Sequence, residues 1–134
     1  MTFNIPDYTY KIKELIKVID GDTIDVLIDV GFYLTARKRI RFLDMDTDEL
    51  HGGTDETKLR ARMARERLIE LLSMGELYIK TEMDETGKYG RLLGRLYAVV
   101  DGSVIDINAT MVNEGYQKGN PGTIFTEDLQ KFPL

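Results

Sequence analysis

Between Gly21 and Gly31, the residues Ile24, Val26, Ile28 and Val30 take every second place, with Asp25, Leu27 and Asp29 between them. Side chains on a strand alternate between faces, so this stretch predicts a strand with one buried face. The glycines bound it as turns. Such a strand needs neighbours beside it and apolar cover beneath it. Tyr8 to Val18, with Ile12, Leu15, Ile16 and Val18, predicts an irregular first strand. Ala36 to Leu43 predicts a third, with Ile40 and Phe42 on one face and Arg39 and Arg41 on the other. Leu77 to Met83 and Leu92 to Val99 predict a fourth and a fifth.

The period changes after the loop His51-Gly52-Gly53-Thr54. Thr54 or Asp55 caps a helix whose apolar stripe is Ala61, Ala64, Leu68, Leu71 and Leu72. Arg60, Arg62, Arg65 and Arg67, interleaved with glutamates, predict a solvated, ion-paired face on its other side. Gly75 is expected to end it. Asp101-Gly102 reads as a tight turn, and Ile105 to Glu114 as a short helix with Ile107, Met111 and Val112 inward, stopped by Gly115. The predicted class is mainly β with α. It is a five-stranded barrel of the OB type, with one long helix between strands 3 and 4 and a short C-terminal helix. Residues 1–134 are expected to form one domain, of which 119–134 is an irregular tail.

There is no cysteine, which excludes disulfides, thiolate zinc sites and cysteine nucleophiles. No stretch approaches the roughly 20 apolar residues of a membrane span, so no membrane partner is expected. Residues 1–17 lack an apolar signal core, which predicts a cytoplasmic location, or secretion if a leader was removed. A monomer is expected. The net charge of -5 argues against a grip on nucleic acid by the whole surface. A local basic site is compatible with it, because screening limits charge effects to about 8–10 Å.

The residues with chemical potential fall in separate segments. Asp20-Gly21-Asp22 precedes the alternating strand, and Asp22 shares the parity of Ile24, which aims it inward at the rim. Asp46 lies just past the third strand. If the two strands pair as a hairpin, Asp22 and Asp46 meet at one rim. Two carboxylates with carbonyls and water suit calcium, a hard ion tolerant of irregular oxygen coordination. Each segment alone is also an ordinary acidic turn. Arg41 and Arg91 are candidates for binding a phosphodiester, whose transition state gains charge that a planar guanidinium can meet at two points. A surface arginine lying over apolar neighbours is the plainer reading of either alone. Glu49 could orient or deprotonate water, or be a solvated loop acid. Lys88 and Tyr89 flank Arg91 and offer a point charge and a hydroxyl or stacking face.

These pieces occur in order: Val18-Ile19-Asp20-Gly21-Asp22-Thr23, Arg41 with Asp46-Thr47-Asp48-Glu49, Lys88-Tyr89-Gly90-Arg91, and Met111-Val112-Asn113-Glu114-Gly115. From about Ile16 to Tyr116 the chain resembles the staphylococcal nuclease (thermonuclease) family. The resemblance implies a calcium-dependent endonuclease on an OB-type barrel, acting on DNA, RNA or both with little sequence preference. It implies that Asp22, Asp46 and the Thr47 carbonyl bind Ca2+, with Asp20 close by through water. Arg41 and Arg91 would clamp the scissile phosphate, Glu49 would act as general base, and Lys88 and Tyr89 would contact a neighbouring phosphate. The sequence departs from the family in three ways. Asp48 replaces the usual proline of the metal turn, an extra charge whose effect, tighter metal binding or repulsion of substrate, the sequence leaves open. The chain is acidic where the family's best-known member is basic, and its C-terminal segment is shortened. The alternative is a barrel that binds nucleic acid or protein without catalysis.

Overall fold

A computed structural model describes residues 8–83 and 92–118. The expected tail, 119–134, and the candidate residues Lys88, Tyr89 and Arg91 lie outside the described residues.

Among the described residues eight elements follow one another: β1 (Thr9–Asp20), β2 (Thr23–Gly31), β3 (Leu34–Phe42), α1 (Asp55–Leu72), β4 (Glu76–Met83), β5 (Leu92–Val100), β6 (Ser103–Asp106) and α2 (Ile107–Asn113). β1, β2 and β3 form an antiparallel meander, and β1 also pairs with β4. β4 and β5 are antiparallel. A parallel pairing of β3 with β5, Ile40 opposite Leu92 and Phe42 opposite Gly94, closes the five strands into a mixed barrel. The first strand can serve two neighbours because it bends. Its register with β2 shifts at three places, and such bulges turn a strand around a barrel corner.

The alternation read in β2 is realised from Ile24 to Ile28: Ile24, Val26 and Ile28 are buried, as are Ile40 and Phe42 of β3, whereas Val30, expected on the same face, lies at the end of the hairpin beyond the core and is exposed. All five residues of the predicted helix stripe are buried too, and α1 closes one end of the core with Leu68 and Leu71. Thr54 is the cap: its side chain accepts from Thr57 N, and the Thr57 side chain returns a bond to the Thr54 backbone. The helix ends at Leu72 with Ser73 as its C-cap, earlier than Gly75. Gly75 has another reason to lack a side chain. An added Cβ would strike the Val99 carbonyl of β5.

The expected helix from Ile105 divides in two. Ser103–Asp106 pairs with Tyr97 to Val100 as β6, and Asp106 then caps α2 by accepting from Ala109 N at 3.0 Å. Ile107 and Met111 are buried as read, while Val112 is only partly so. Asn108, fully buried, accepts from Leu96 N and donates to the carbonyls of Leu43 and Gly94. It thereby joins α2 to the seam where β3 meets β5. No helix among the described residues is long and apolar enough to cross a membrane.

Candidate functional site

The site forms where β1 turns into β2. Asp20 ends the first strand, Gly21 and Asp22 make the turn, and Thr23 opens the second. Gly21 is required by space. An added Cβ would lie 2.7 Å from Ala64 Cβ on α1 and 2.9 Å from Thr47 Oγ1. The turn is thus wedged between the helix and the loop that follows β3. Phe42 N donates to the Asp22 carbonyl at 2.8 Å, and Arg41 lies opposite Thr23 in the β2–β3 register.

Asp22 is only 5% exposed. Its carboxylate accepts from Thr47 N at 3.1 Å and from Thr23 Oγ1 at 2.9 Å. Burial pushes its pKa above the usual 3.8, because a carboxylate loses hydration there. The bonds from Thr47 and Thr23 and the Arg41 charge pull the other way, while Asp46 adds to the rise. Asp46 itself is exposed. A single nitrogen, Nη2 of Arg41, lies 2.9 Å from Asp46 Oδ1 and 3.6 Å from Asp22 Oδ2. Two acids from separate segments therefore face one guanidinium.

The loop carrying Asp46 is fixed at several points. The Asp46 N–H donates to Gln117 Oε1 at 3.1 Å, and its carbonyl accepts from Lys118 N at 2.6 Å. Thr47 is buried, and its Oγ1 has no hydrogen-bond partner among the described residues. Asp48 turns inward onto Arg60 of α1, with Oδ2 3.4 Å from Nε and both side chains 8% exposed. The Asp48 charge is met inside the protein by Arg60. One expectation is corrected here: Arg60 is buried under the loop and is not part of a solvated helix face.

Asp20 is drawn to the far end of the same loop, where its Oδ1 accepts from Leu50 N at 3.2 Å. Glu49 is exposed and makes no hydrogen bond or ion pair among the described residues. Among those residues no group of three or more His, Asp or Glu side chains is close enough to hold a metal ion. The donors on hand are two carboxylates and loop carbonyls, all hard oxygens. In kind they fit calcium, which accepts such ligands together with water. They do not fit zinc, which prefers nitrogen and sulfur.

Gln117, Lys118 and the Asp48–Arg60 pair escape the sequence reading. Gln117 lies 71 residues from the loop it holds, and no local pattern links the two.

Two outcomes follow from this geometry. The folded-state pKa of Asp22 is raised, so its contribution to stability is fully present below the usual value of 3.8 and is lost as pH rises through the folded value. Asp22→Asn should therefore raise the thermal midpoint at pH 7 without added metal, and the gain should vanish near pH 3. A midpoint lowered at pH 7 would contradict this. Removing either Asp48 or Arg60 leaves a buried charge unpaired, which typically costs roughly 3–5 kcal/mol, whereas removing both is far milder. In urea unfolding, Asp48→Ala with Arg60→Met should cost much less than the two single changes added together.

Comparison with known proteins agrees with the fold. The family model described as "Staphylococcal nuclease homologue" matches residues 39–121. A micrococcal nuclease of Shigella flexneri is 33% identical over 107 residues, covering 76% of this chain and 54% of that protein. Protein ParB of Escherichia coli is 30% identical over 107 residues, covering 76% and 53%. The chain spans about half the length of the curated relatives it matches. With the matched segment covering more than half of its residues, the chain belongs to the family of staphylococcal nuclease homologues.

Proposed function

We propose that this chain is a calcium-dependent nuclease that hydrolyses phosphodiester bonds of DNA, RNA or both with little sequence specificity. The observation that carries this reading is the meeting of Asp22 and Asp46 on the Arg41 guanidinium. Arg41 balances the two acids in this state, and two carboxylates held at one rim are also the kind of hard-oxygen donor set that a calcium ion takes.

Asp22, Asp46 and the Thr47 carbonyl would hold Ca2+, with Asp20 reaching it through water. Bound there, the ion supplies charge to the phosphoryl oxygens and makes a nearby water more acidic. Arg41, released from the two acids, donates to the scissile phosphate, and Arg91 is assigned the second donor position. Each such donor aimed at developing charge is worth roughly 3–4 kcal/mol of barrier. Glu49 is exposed and makes no hydrogen bond or ion pair among the described residues, which supports a role for its carboxylate in taking a proton from the attacking water. Lys88 and Tyr89 hold the neighbouring phosphate. The relative named as a micrococcal nuclease supports the nuclease part of this reading.

The test is to incubate single-stranded DNA and RNA oligonucleotides with the protein and calcium, then measure product lengths. Shortened products should appear and should cease when calcium is chelated. Glu49→Gln should lower turnover at least about a hundredfold with oligonucleotide affinity little changed. Equal turnover in that variant would overturn the role of Glu49. Binding without cleavage by the unaltered protein would favour a non-catalytic module.

A further inference from the structure

The β2–β3 hairpin ends in a turn that neither the core nor the candidate site requires. Gly31 pairs with Leu34, and the two residues between them are Phe32 and Tyr33. Both have positive φ, 55° and 62°. Two-residue turns of this hand are dominated by Asn-Gly and similar pairs, because a bulky side chain in the left-handed region crowds its own backbone. Neither ring offsets that strain by burial. Phe32 is 92% exposed, Tyr33 is fully exposed, and Leu34 is 60% exposed. Strain together with bare aromatic surface at one tip points to a ligand.

The strand below the tip indicates the ligand's chemistry. Arg37, Arg39 and Arg41 take alternate places on β3, opposite Leu27, Asp25 and Thr23. They share the outer face, since Ile40 and Phe42 point into the core. Lys17 lies beside Asp25 on the adjoining strand. Lys13 lines an open cleft of about 510 Å³ together with Asp29, Phe32, Tyr33 and Thr35. The face also carries acids. Asp25 binds Arg39 at two points, 2.8 and 3.1 Å, and Asp29 accepts from Gly31 N. Arg37 is exposed and feels Asp25 only at a distance. In a chain of net charge -5, this face still gathers cations. The row begins at Arg41 in the candidate site and, at about 3.3 Å per residue, runs roughly 26 Å to Tyr33.

Cations in a row that ends at naked rings suit single-stranded nucleic acid, whose phosphates follow the charges and whose unpaired bases stack on aromatic faces. We infer that a single strand leaves the candidate site along the outer face of β3, its phosphates near Arg39 and Arg37, and places a base on Phe32 or Tyr33. The starting point at Arg41 rests on the nuclease reading. The binding itself does not need catalysis.

The experiment is fluorescence anisotropy with a labelled 12-nucleotide single-stranded DNA in EDTA, where no cleavage occurs. The variant Phe32→Asn with Tyr33→Gly installs the preferred turn and removes both rings. It should bind the 12-mer at least roughly tenfold more weakly, and its thermal midpoint should rise by roughly 3–6 °C. With calcium, its cleavage of a thymidine dinucleotide, too short to reach the tip, should equal that of the unaltered protein. Arg37→Ala should reduce the slope of log affinity against log salt by about 0.7. Unchanged 12-mer affinity in the double variant, an unchanged salt slope in Arg37→Ala, or no 12-mer binding by the unaltered protein would overturn the inference. So would lost binding to phosphatidylserine vesicles with 12-mer affinity intact, which marks a membrane-facing tip. Weakened 12-mer binding with no calcium-dependent cleavage of the 12-mer or the dinucleotide by any form upholds the inference and overturns only the nuclease reading.

Discussion

Asp22 and Asp46 repel one another, and Arg41 stands between them. One guanidinium nitrogen within ion-pair distance of both carboxylates offsets a repulsion that would otherwise open the rim. The surroundings serve that arrangement. Gly21 lets the turn approach Ala64 and Thr47, Thr47 N donates to Asp22, and Gln117 with Lys118 holds the Asp46 backbone. The closed barrel supplies the rigid base. Phe42 N donates to the Asp22 carbonyl and Leu43 N to that of Gly94, so the ends of β3, β5 and the first turn are locked together.

The site also has an internal tension. Burial raises the pKa of Asp22, so the fold would be easier to keep with that group neutral. Asp48 and Arg60 add a second buried pair with imperfect geometry, since Arg60 Nε and Nη2 find no hydrogen-bond partner among the described residues. Where the family's turn carries proline, this chain instead ties its loop to α1 by charge. Proline would stiffen the backbone locally, whereas the ion pair makes the loop depend on the helix beneath it. Charge held at a folding cost is characteristic of sites kept for chemistry.

Much of the barrel was legible because it rests on periodicity. The alternation in β2 and the helical stripe of α1 each involve enough residues to fix type and face together. The convergence of Asp22 and Asp46 followed from reading β2 and β3 as a hairpin, which their register shows. β6 was not legible. It spans only four residues, too few for a period-2 signal, and Ile105 continued an apparent helical spacing into α2. The Asp48–Arg60 pair was hidden for a different reason. Formal charge argues for solvent, and only the folded chain shows that each is the other's partner. Gln117 and Lys118 reach the loop through tertiary packing alone, which no local pattern encodes.

In the proposed function the two rim carboxylates would share a divalent ion, and Arg41 would turn from them to the phosphate. A crystal structure with calcium and a nucleoside 3′,5′-bisphosphate tests it most directly. The account predicts one ion about 2.3–2.6 Å from oxygens of both Asp22 and Asp46, with the Arg41 guanidinium turned onto the phosphate. An ion bound elsewhere, with Arg41 still bridging both acids, would contradict it.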